Sequence, residues 1–449
     1  MSRLFGTDGV RGVANKDITC EKVLELGRSY GRILKESHAR PRVIIGKDTR
    51  ISSGMLELAF TAGLCSAGAD VLLAGIMPTP AIPFLVRHLD ASGGVMISAS
   101  HNPIEDNGIK LFSHEGFKLP DTTEDRIETL SNEVVELPVS KEVGIYENLE
   151  NADDLYISHI IDSAGEDLTG LRIGLDCANG AAYRIGGKIF KKLGAEVYTI
   201  NTESDGHRIN VECGSTNMAQ LRDLVLEKKL DLGLAFDGDA DRCLALDETG
   251  NVIDGDEILA LFARDQMDRG IFKGESVVVT DMSNMGLERA LEEMGLGMTR
   301  TKVGDRYVLE EMKKSGCHLG GEQSGHIICL TYSTTGDGCL TGVLLAGILK
   351  RSKKPMSQVR HLFHRVPQIL LNIKTRRKND YDKIPEIRHA INEIEEKLKG
   401  RGRILVRPSG TEPKLRIMLE GHDRQEINKL AYDLKDLMKK HLGGSLASC

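Results

Sequence analysis

The chain has 449 residues, 40% hydrophobic and 28% charged, which excludes a disordered or fibrous protein and implies about two to four globular domains. Its 59 basic and 66 acidic side chains give a formal charge of −7, which argues against nucleic acid as the main partner but leaves room for a local basic pocket. Aromatic residues are only 4% and tryptophan is absent, so no stacking surface for bases is expected.

The nine cysteines are odd in number and form no C-x-x-C pair, which argues against a zinc or disulfide framework and predicts a reducing, cytoplasmic setting. Residues 1–6 lack the apolar region of a secretory leader. No stretch reaches membrane-spanning length, so a soluble protein with no membrane partner is expected.

The chain opens on Gly6-Thr7-Asp8-Gly9-Val10-Arg11-Gly12, a glycine-rich loop that suits an anion or a plain turn. Residues 20–34 read as an amphipathic helix, with Val23, Leu26, Tyr30, Ile33 and Leu34 on one stripe. Residues 43–45 read as a buried strand, 46–54 as a polar loop into a helix, 70–73 as a second strand, and 78–80 as the start of another helix. A third strand, 95–97, runs into Ser98-Ala99-Ser100-His101-Asn102-Pro103. Proline pushes Asn102 to extended geometry, so the serines and His101 sit on an open loop. That loop reads either as a nucleophile platform or as a strand end with turn hydrogen bonds, and the bare sequence does not choose between Ser98 and Ser100. Residues 120–155 are acidic and read as the tail of the first domain plus a helical connection.

A second α/β unit follows, with strands at 171–176, 196–200 and 232–236 and helices at 182–193 and 218–228. Its last strand leads into Asp237-Gly238-Asp239-Ala240-Asp241-Arg242. In extended chain the three carboxylates would share a face, and three so close repel unless a cation sits among them. A solvated acidic turn is the bland alternative. The EF-hand pattern matches at positions one, three, five and twelve, the last being Glu248. It fails at position six, where Arg242 replaces the required glycine, and in the flanking strands.

A third unit spans about 256–364, with a strand at 276–280 and a helix at 285–294. Residues 302–307 precede a further helix. Between two short strands lies Gly320-Gly321-Glu322-Gln323-Ser324-Gly325-His326. There Glu322, Ser324 and His326 alternate and suit sugar hydroxyls, or form a β-turn with solvated side chains. After Pro367 the order strand (368–373), helix (384–398), strand, strand, helix marks an α+β domain. It carries Arg407-Pro408-Ser409-Gly410-Thr411-Glu412-Pro413-Lys414-Leu415-Arg416, in which guanidinium forks, hydroxyls and amides suit a phosphate. Residues 443–449 are expected to fray.

The ordered set GTDGVRG (6–12), ISASHNP (97–103), DGDADR (237–242), MSNMGLE (282–288), KVGDRYV (302–308), EQSGH (322–326) and RPSGTEP (407–413) resembles the signatures of the α-D-phosphohexomutase superfamily over essentially the whole chain. MSNMGLE and KVGDRYV are most similar to its phosphoglucosamine mutase branch. The resemblance implies three similar α/β domains with mixed, mostly parallel sheets (1–150, 151–250 and 251–365). A C-terminal α+β domain resembling the TATA-binding protein (366–449) completes them around a central cleft.

It also implies the interconversion of glucosamine 6-phosphate and glucosamine 1-phosphate through a phosphoserine and a 1,6-bisphosphate, for UDP-N-acetylglucosamine biosynthesis. Phosphomannomutase or phosphoglucomutase activity is the near alternative. By resemblance Ser100 is the phosphorylated residue, and one Mg2+ per chain rests on Asp237, Asp239, Asp241 and the Ser100 phosphoryl oxygen. His101 and Arg242 would neutralise the phosphoryl charge, and Arg11 and Lys110 are acid–base candidates. Lys302, Glu322, Ser324, His326, Arg407, Ser409, Gly410, Thr411 and Arg416 would bind substrate. The implied activator is a hexose 1,6-bisphosphate or autophosphorylation, the partners are small sugar phosphates, and the expected state is monomer or homodimer.

Overall fold

The structure, a computed structural model, describes residues 3–6, 8–131, 133, 136–375, 377–408, 414–443 and 445–446. The chain divides into two compact units: Met1–Thr280 with Leu296–Leu362, and Asp281–Gly295 with Phe363–Cys449. Among the described residues no helix is long and apolar enough to cross a membrane.

The first unit repeats one strand arrangement three times. In its first sheet Arg42–Lys47 lies between Asp70–Ile76 and Gly93–Ile97, all parallel, and Asp106–Ser113 returns antiparallel to Gly93–Ile97. In the second, Arg172–Asp176 lies between Glu196–Ile200 and Leu232–Phe236, and Cys243–Asp247 returns antiparallel. In the third, Ser276–Thr280 lies between Gly297–Thr301 and Leu319–Gly321, and Ile327–Cys329 returns antiparallel. Gly93–Ile97 and Leu232–Phe236 are buried at every position, as continuous apolar runs must be when both sheet faces are covered.

The loop after the third strand of each sheet is one of the three polar loops singled out above: 98–105, 237–242 and 322–326. The repeat is therefore one of topology, and it places three chemically different loops at equivalent carboxyl ends of strands, where α/β sheets bind ligands. The strands 196–200, 232–236 and 276–280 fall where the sequence predicts them. Asp106–Ser113 and the edge strand Val10–Val13, which pairs with it, were not anticipated, and they carry Lys110 and Arg11. The helix expected after a loop reaching residue 54 already begins at Ile51.

In the second unit, Gly402–Pro408, Lys414–Gly421, Gln368–Lys374 and Ser445–Leu446 form an antiparallel sheet. Alternate residues Leu371, Ile373, Leu415, Ile417 and Leu419 share one face and pack with Ile387, Ile394 and Leu398 of one helix and Ile427, Leu434 and Met438 of another. Each such side chain contributes roughly 1.5–3 kcal/mol of apolar burial. Within the stretch expected to fray, Ser445 and Leu446 pair with Lys374 and Ile373, while 444 and 447–449 lie outside the described residues.

Candidate active site

The serine loop rests on a buried polar network. Ser98 Oγ donates to Asp48 Oδ2 at 2.6 Å and accepts the Ser100 N–H at 2.9 Å, so its hydroxyl is consumed in scaffolding. Ser100 stands in the left-handed region at φ 54°, a conformation that costs a residue with a β-carbon about 1–2 kcal/mol and that clusters at functional sites. Its Oγ donates to Asp237 Oδ2 at 2.6 Å and lies 3.2 Å from His101 Nδ1. The two serines left open by the sequence are thus separated by their partners.

Arg50 holds this loop in shape. Its guanidinium is fully buried against Asp48, with Nε to Oδ2 at 3.0 Å. Its remaining N–H groups donate to the carbonyls of Ser100 (2.9 Å), Asn102 (2.8 Å), Asp106 (2.9 Å) and Pro103. Asn210 Nδ2, from the second repeat, donates to the Ser100 carbonyl at 2.9 Å.

The 237–242 loop brings its carboxylates together by a turn, and this corrects the expectation of strand alternation. Ala240 N–H donates to Asp237 O at 3.0 Å, and Ala240 takes φ 53°. One ligand atom from each of Asp237, Asp239 and Asp241 lies within 4.8 Å of the others, and all three residues are buried. Burial first, then the charges of Asp241 and Asp239, push the Asp237 carboxyl well above the usual carboxylate range. Asp239 Oδ1 is buried with no hydrogen-bond partner. Three carboxylates, with Asp239 Oδ1 and Asp241 Oδ1 both buried and without a hydrogen-bond partner, fit a divalent cation of the magnesium, manganese or calcium class.

Gly238 makes this convergence possible. A β-carbon there would fall 2.5 Å from the Ser100 carbonyl oxygen and 2.7 Å from Asn210 Nδ2. Gly238→Ala is expected to force the two loops apart, lowering turnover at least about tenfold while the chain still folds. Steady-state kinetics beside a thermal melt would check this, and an unchanged kcat would contradict it.

Three further charges and one imidazole converge here. Lys110 Nζ is buried 2.8 Å from Asp239 Oδ2, 3.2 Å from Asp241 Oδ2 and 3.3 Å from Asp8 Oδ2. Burial disfavours its ammonium, but Asp239, Asp8 and Asp241 outweigh this and hold it well above the ordinary lysine value. Arg11 pairs with Asp8 and reaches Asn102 Oδ1 at 3.4 Å. Against the burial penalty, Asp8, Asp239 and Asp241 raise its pKa further, which does not suit a proton acceptor. Arg242 Nε lies 3.8 Å from Asp241 Oδ1, and Asp237, Asp241 and Glu322 favour its charge over the cost of burial. His101 is pushed down to about 3, first by Arg242 and then by burial and Arg11, so its ring is neutral at physiological pH.

The 322–326 loop is a β-turn in a hairpin, the second of the two forms that its sequence allows, rather than an alternating strand. Gly325 N–H donates to Glu322 O at 3.0 Å, and Gly325 takes φ 91°. Ser324 Oγ donates to Glu322 Oε2 at 3.4 Å, and Gly304 N–H to Glu322 Oε1 at 3.2 Å. Cys243 N–H donates to Gly325 O at 3.1 Å, which ties this hairpin to the exit of the carboxylate loop.

His326 is buried at 3% exposure rather than presented on a surface. Its Nδ1 is 3.6 Å from Asp241 Oδ1, its Nε2 is 3.6 Å from Asp305 Oδ2, and Gly336 N–H donates to Nε2 at 3.1 Å. Lys118 pairs with both Asp8 and Asp305. A chain of alternating groups therefore runs from His326 through Asp241, Lys110, Asp8 and Lys118 to Asp305. Lys118 and Asp305 escaped the sequence reading because no local pattern joins residues 187 positions apart. Lys302 is exposed, three residues before Asp305.

In the second unit Arg407 and Arg416 stand directly opposite each other on adjacent antiparallel strands, both half-buried. Two guanidinium forks at facing positions of one strand pair suit an anion. Ser409, Gly410 and Thr411 lie outside the described residues.

The chain matches four phosphoglucomutase/phosphomannomutase domain families in series. These are alpha/beta/alpha domain I over residues 2–137, domain II over 154–250, domain III over 254–366 and the C-terminal domain over 370–437. It is 50% identical over 445 residues to a phosphoglucosamine mutase of Clostridium acetobutylicum, covering 98% of this chain and 99% of that protein. Its fold is similar to that of a phosphoglucomutase/phosphomannomutase family protein of Burkholderia thailandensis, with TM-score 0.84, 23% identity and 99% of each chain covered. It is also similar to that of N-acetylphosphoglucosamine mutase of Aspergillus fumigatus, solved with GlcNAc-6P and magnesium, with TM-score 0.70, 18% identity, and 97% and 95% covered.

Proposed function

This chain belongs to the phosphoglucomutase/phosphomannomutase family, on its phosphoglucosamine mutase branch, and is an isomerase; from that premise we propose that it interconverts glucosamine 6-phosphate and glucosamine 1-phosphate through a phosphoserine at Ser100. The observation that carries the proposal is the Ser100 hydroxyl held 2.6 Å from Asp237 within a cluster of three buried carboxylates.

A phosphoserine brings about −1.5 to −2 charges, which repel any nucleophile until they are balanced. Mg2+ held by Asp237, Asp239 and Asp241 would supply the electrostatic stabilisation of the phosphoryl oxygens, and the Aspergillus protein's magnesium supports that choice of ion. Arg11 and Arg242 add fixed positive charge. A substrate hydroxyl attacks phosphorus, its new O–P bond forms as the bond to Ser100 Oγ breaks, and a 1,6-bisphosphate results. The proton released by the substrate hydroxyl is balanced by the one that the departing Ser100 Oγ gains; Lys110 is the acid–base candidate for that exchange, and its carboxylate partners favour its ammonium form before and after the step. Turned over, the bisphosphate returns its other phosphate to Ser100.

Glu322 and Ser324 are assigned to ring hydroxyls, and Lys302 to the sugar phosphate. Arg407 and Arg416, with Ser409, Gly410 and Thr411, are assigned to a substrate phosphate. His326 suits positioning of Asp241 better than sugar contact.

Turnover compared on glucosamine, glucose and mannose 6-phosphates tests the substrate, with the glucosamine compound expected to be preferred at least about tenfold in kcat/KM. A large preference for mannose would overturn this assignment. Inorganic phosphate released faster than isomerised product would instead mark a phosphatase.

A further inference from the structure

Thr79 lies between Pro78 and Pro80, at the entry to helix Ala81–His88, and is 1% exposed. Both of its donors serve one residue 160 positions away. Its backbone N–H donates to Asp239 O at 2.9 Å, and its hydroxyl donates to Asp239 Oδ2 at 2.6 Å. Lys110 Nζ donates to that same oxygen at 2.8 Å. Asp239 Oδ1, by contrast, is buried and accepts no hydrogen bond.

The two oxygens of one carboxylate are therefore differentiated. The terminal torsion of aspartate is broad and two-fold, so without an anchor either oxygen could turn toward the loop centre. Lys110 is a weak anchor for this purpose, because its flexible stem also serves Asp241 and Asp8. Thr79 is a stiff one. The prolines on either side restrict the backbone that carries it, and its N–H is held on the same residue that its hydroxyl anchors.

We propose that Thr79 is a positioning residue for the divalent-cation site, fixing the Asp239 carboxylate so that Oδ1 is presented to the cation. The assignment rests on the reading of Asp237, Asp239 and Asp241 as cation ligands. It goes beyond that reading by naming a residue of the first repeat, outside the carboxylate loop, as a determinant of cation affinity. Outer partners of this kind usually change metal affinity about 10- to 100-fold when removed.

The test is calorimetric titration of the full-length chain with Mn2+, alongside its melting temperature with and without Mn2+. Wild type is compared with Thr79→Val, Thr79→Ala, Thr79→Ser and Asp239→Asn. Wild type is expected to bind one Mn2+, and Thr79→Val and Thr79→Ala to bind it about 10- to 100-fold more weakly, with a smaller Mn2+-induced rise in Tm. Thr79→Ser, which restores the hydroxyl, is expected to return close to wild-type affinity.

Wild-type affinity in both Thr79→Val and Thr79→Ala, with binding lost in Asp239→Asn, overturns the role of Thr79 and leaves the cation site standing. Equal weakness in Thr79→Ser and Thr79→Val also overturns it, because packing rather than the hydroxyl would then be responsible. No Mn2+ binding by wild type, or wild-type binding by Asp239→Asn, overturns the cation reading and the positioning role together. The alanine variant keeps the comparison available if valine in the buried polar pocket prevents folding.

Discussion

Ser100→Ala is expected to abolish interconversion, by at least about three orders of magnitude in kcat, while sugar phosphates still bind. The methyl group keeps the loop's packing, and the contacts that shape the loop do not pass through the lost oxygen. The carbonyl of residue 100 still accepts from Arg50 and Asn210, and its N–H still reaches Ser98. Only the hydroxyl aimed at Asp237 disappears. Ser98→Ala is the informative contrast. It strips a partner from buried Asp48 and from the Ser100 N–H, costing about 1–3 kcal/mol of stability, but leaves the nucleophile in place. Intact mass before and after phosphatase treatment, read beside turnover, separates the two. Ser98→Ala should still carry a removable phosphate and Ser100→Ala should not. Full activity in Ser100→Ala would end the phosphoserine mechanism.

Arg50→Met carries the second large expectation, a loss of about 3–5 kcal/mol in stability together with collapse of activity. The thioether side chain fills part of the space but leaves Asp48 as a buried, uncompensated charge and releases the carbonyls of Ser100, Asn102, Pro103 and Asp106. Without those donors the left-handed backbone of Ser100 is left to Asn210 on its carbonyl and Ser98 on its N–H. Arg50→Lys should recover only part of the loss, because one ammonium cannot reach carbonyls spread around a planar fork. Urea unfolding of the full chain checks the stability term. A transition superimposable on wild type would show that the loop is held by its neighbours instead.

Much of the scaffold is legible in the sequence. Short apolar runs bounded by glycine and charged residues mark the strands at 196–200, 232–236 and 276–280. Helical periodicity marks Cys20–Lys35, where Thr19 accepts the Lys22 N–H at the N-cap. The polar loops stand out because serine, aspartate and arginine interrupt such runs where burial would otherwise exclude them.

The threefold repeat is not legible. The three sheets share a strand order and no residue pattern, and order is set by pairing between distant segments.

Local composition dictates which residue types sit at the three strand ends of the first unit, and hence that a hydroxyl, a carboxylate trio and a Glu-Ser-His group are available for phosphoryl and sugar chemistry. Tertiary structure alone decided how they act together. It turned the carboxylates inward at Ala240 rather than along a strand, and it spent Ser98 on Asp48 while freeing Ser100 for Asp237. It also recruited Thr79 and Lys118, which nothing local marks as functional, and Asp305, which lies in the KVGDRYV motif but whose partners are distant in sequence. The physical reason is common to all of these. A side chain's chemistry is local, but its charge state, rotamer and free lone pairs are set by partners that only the folded chain brings within hydrogen-bond distance.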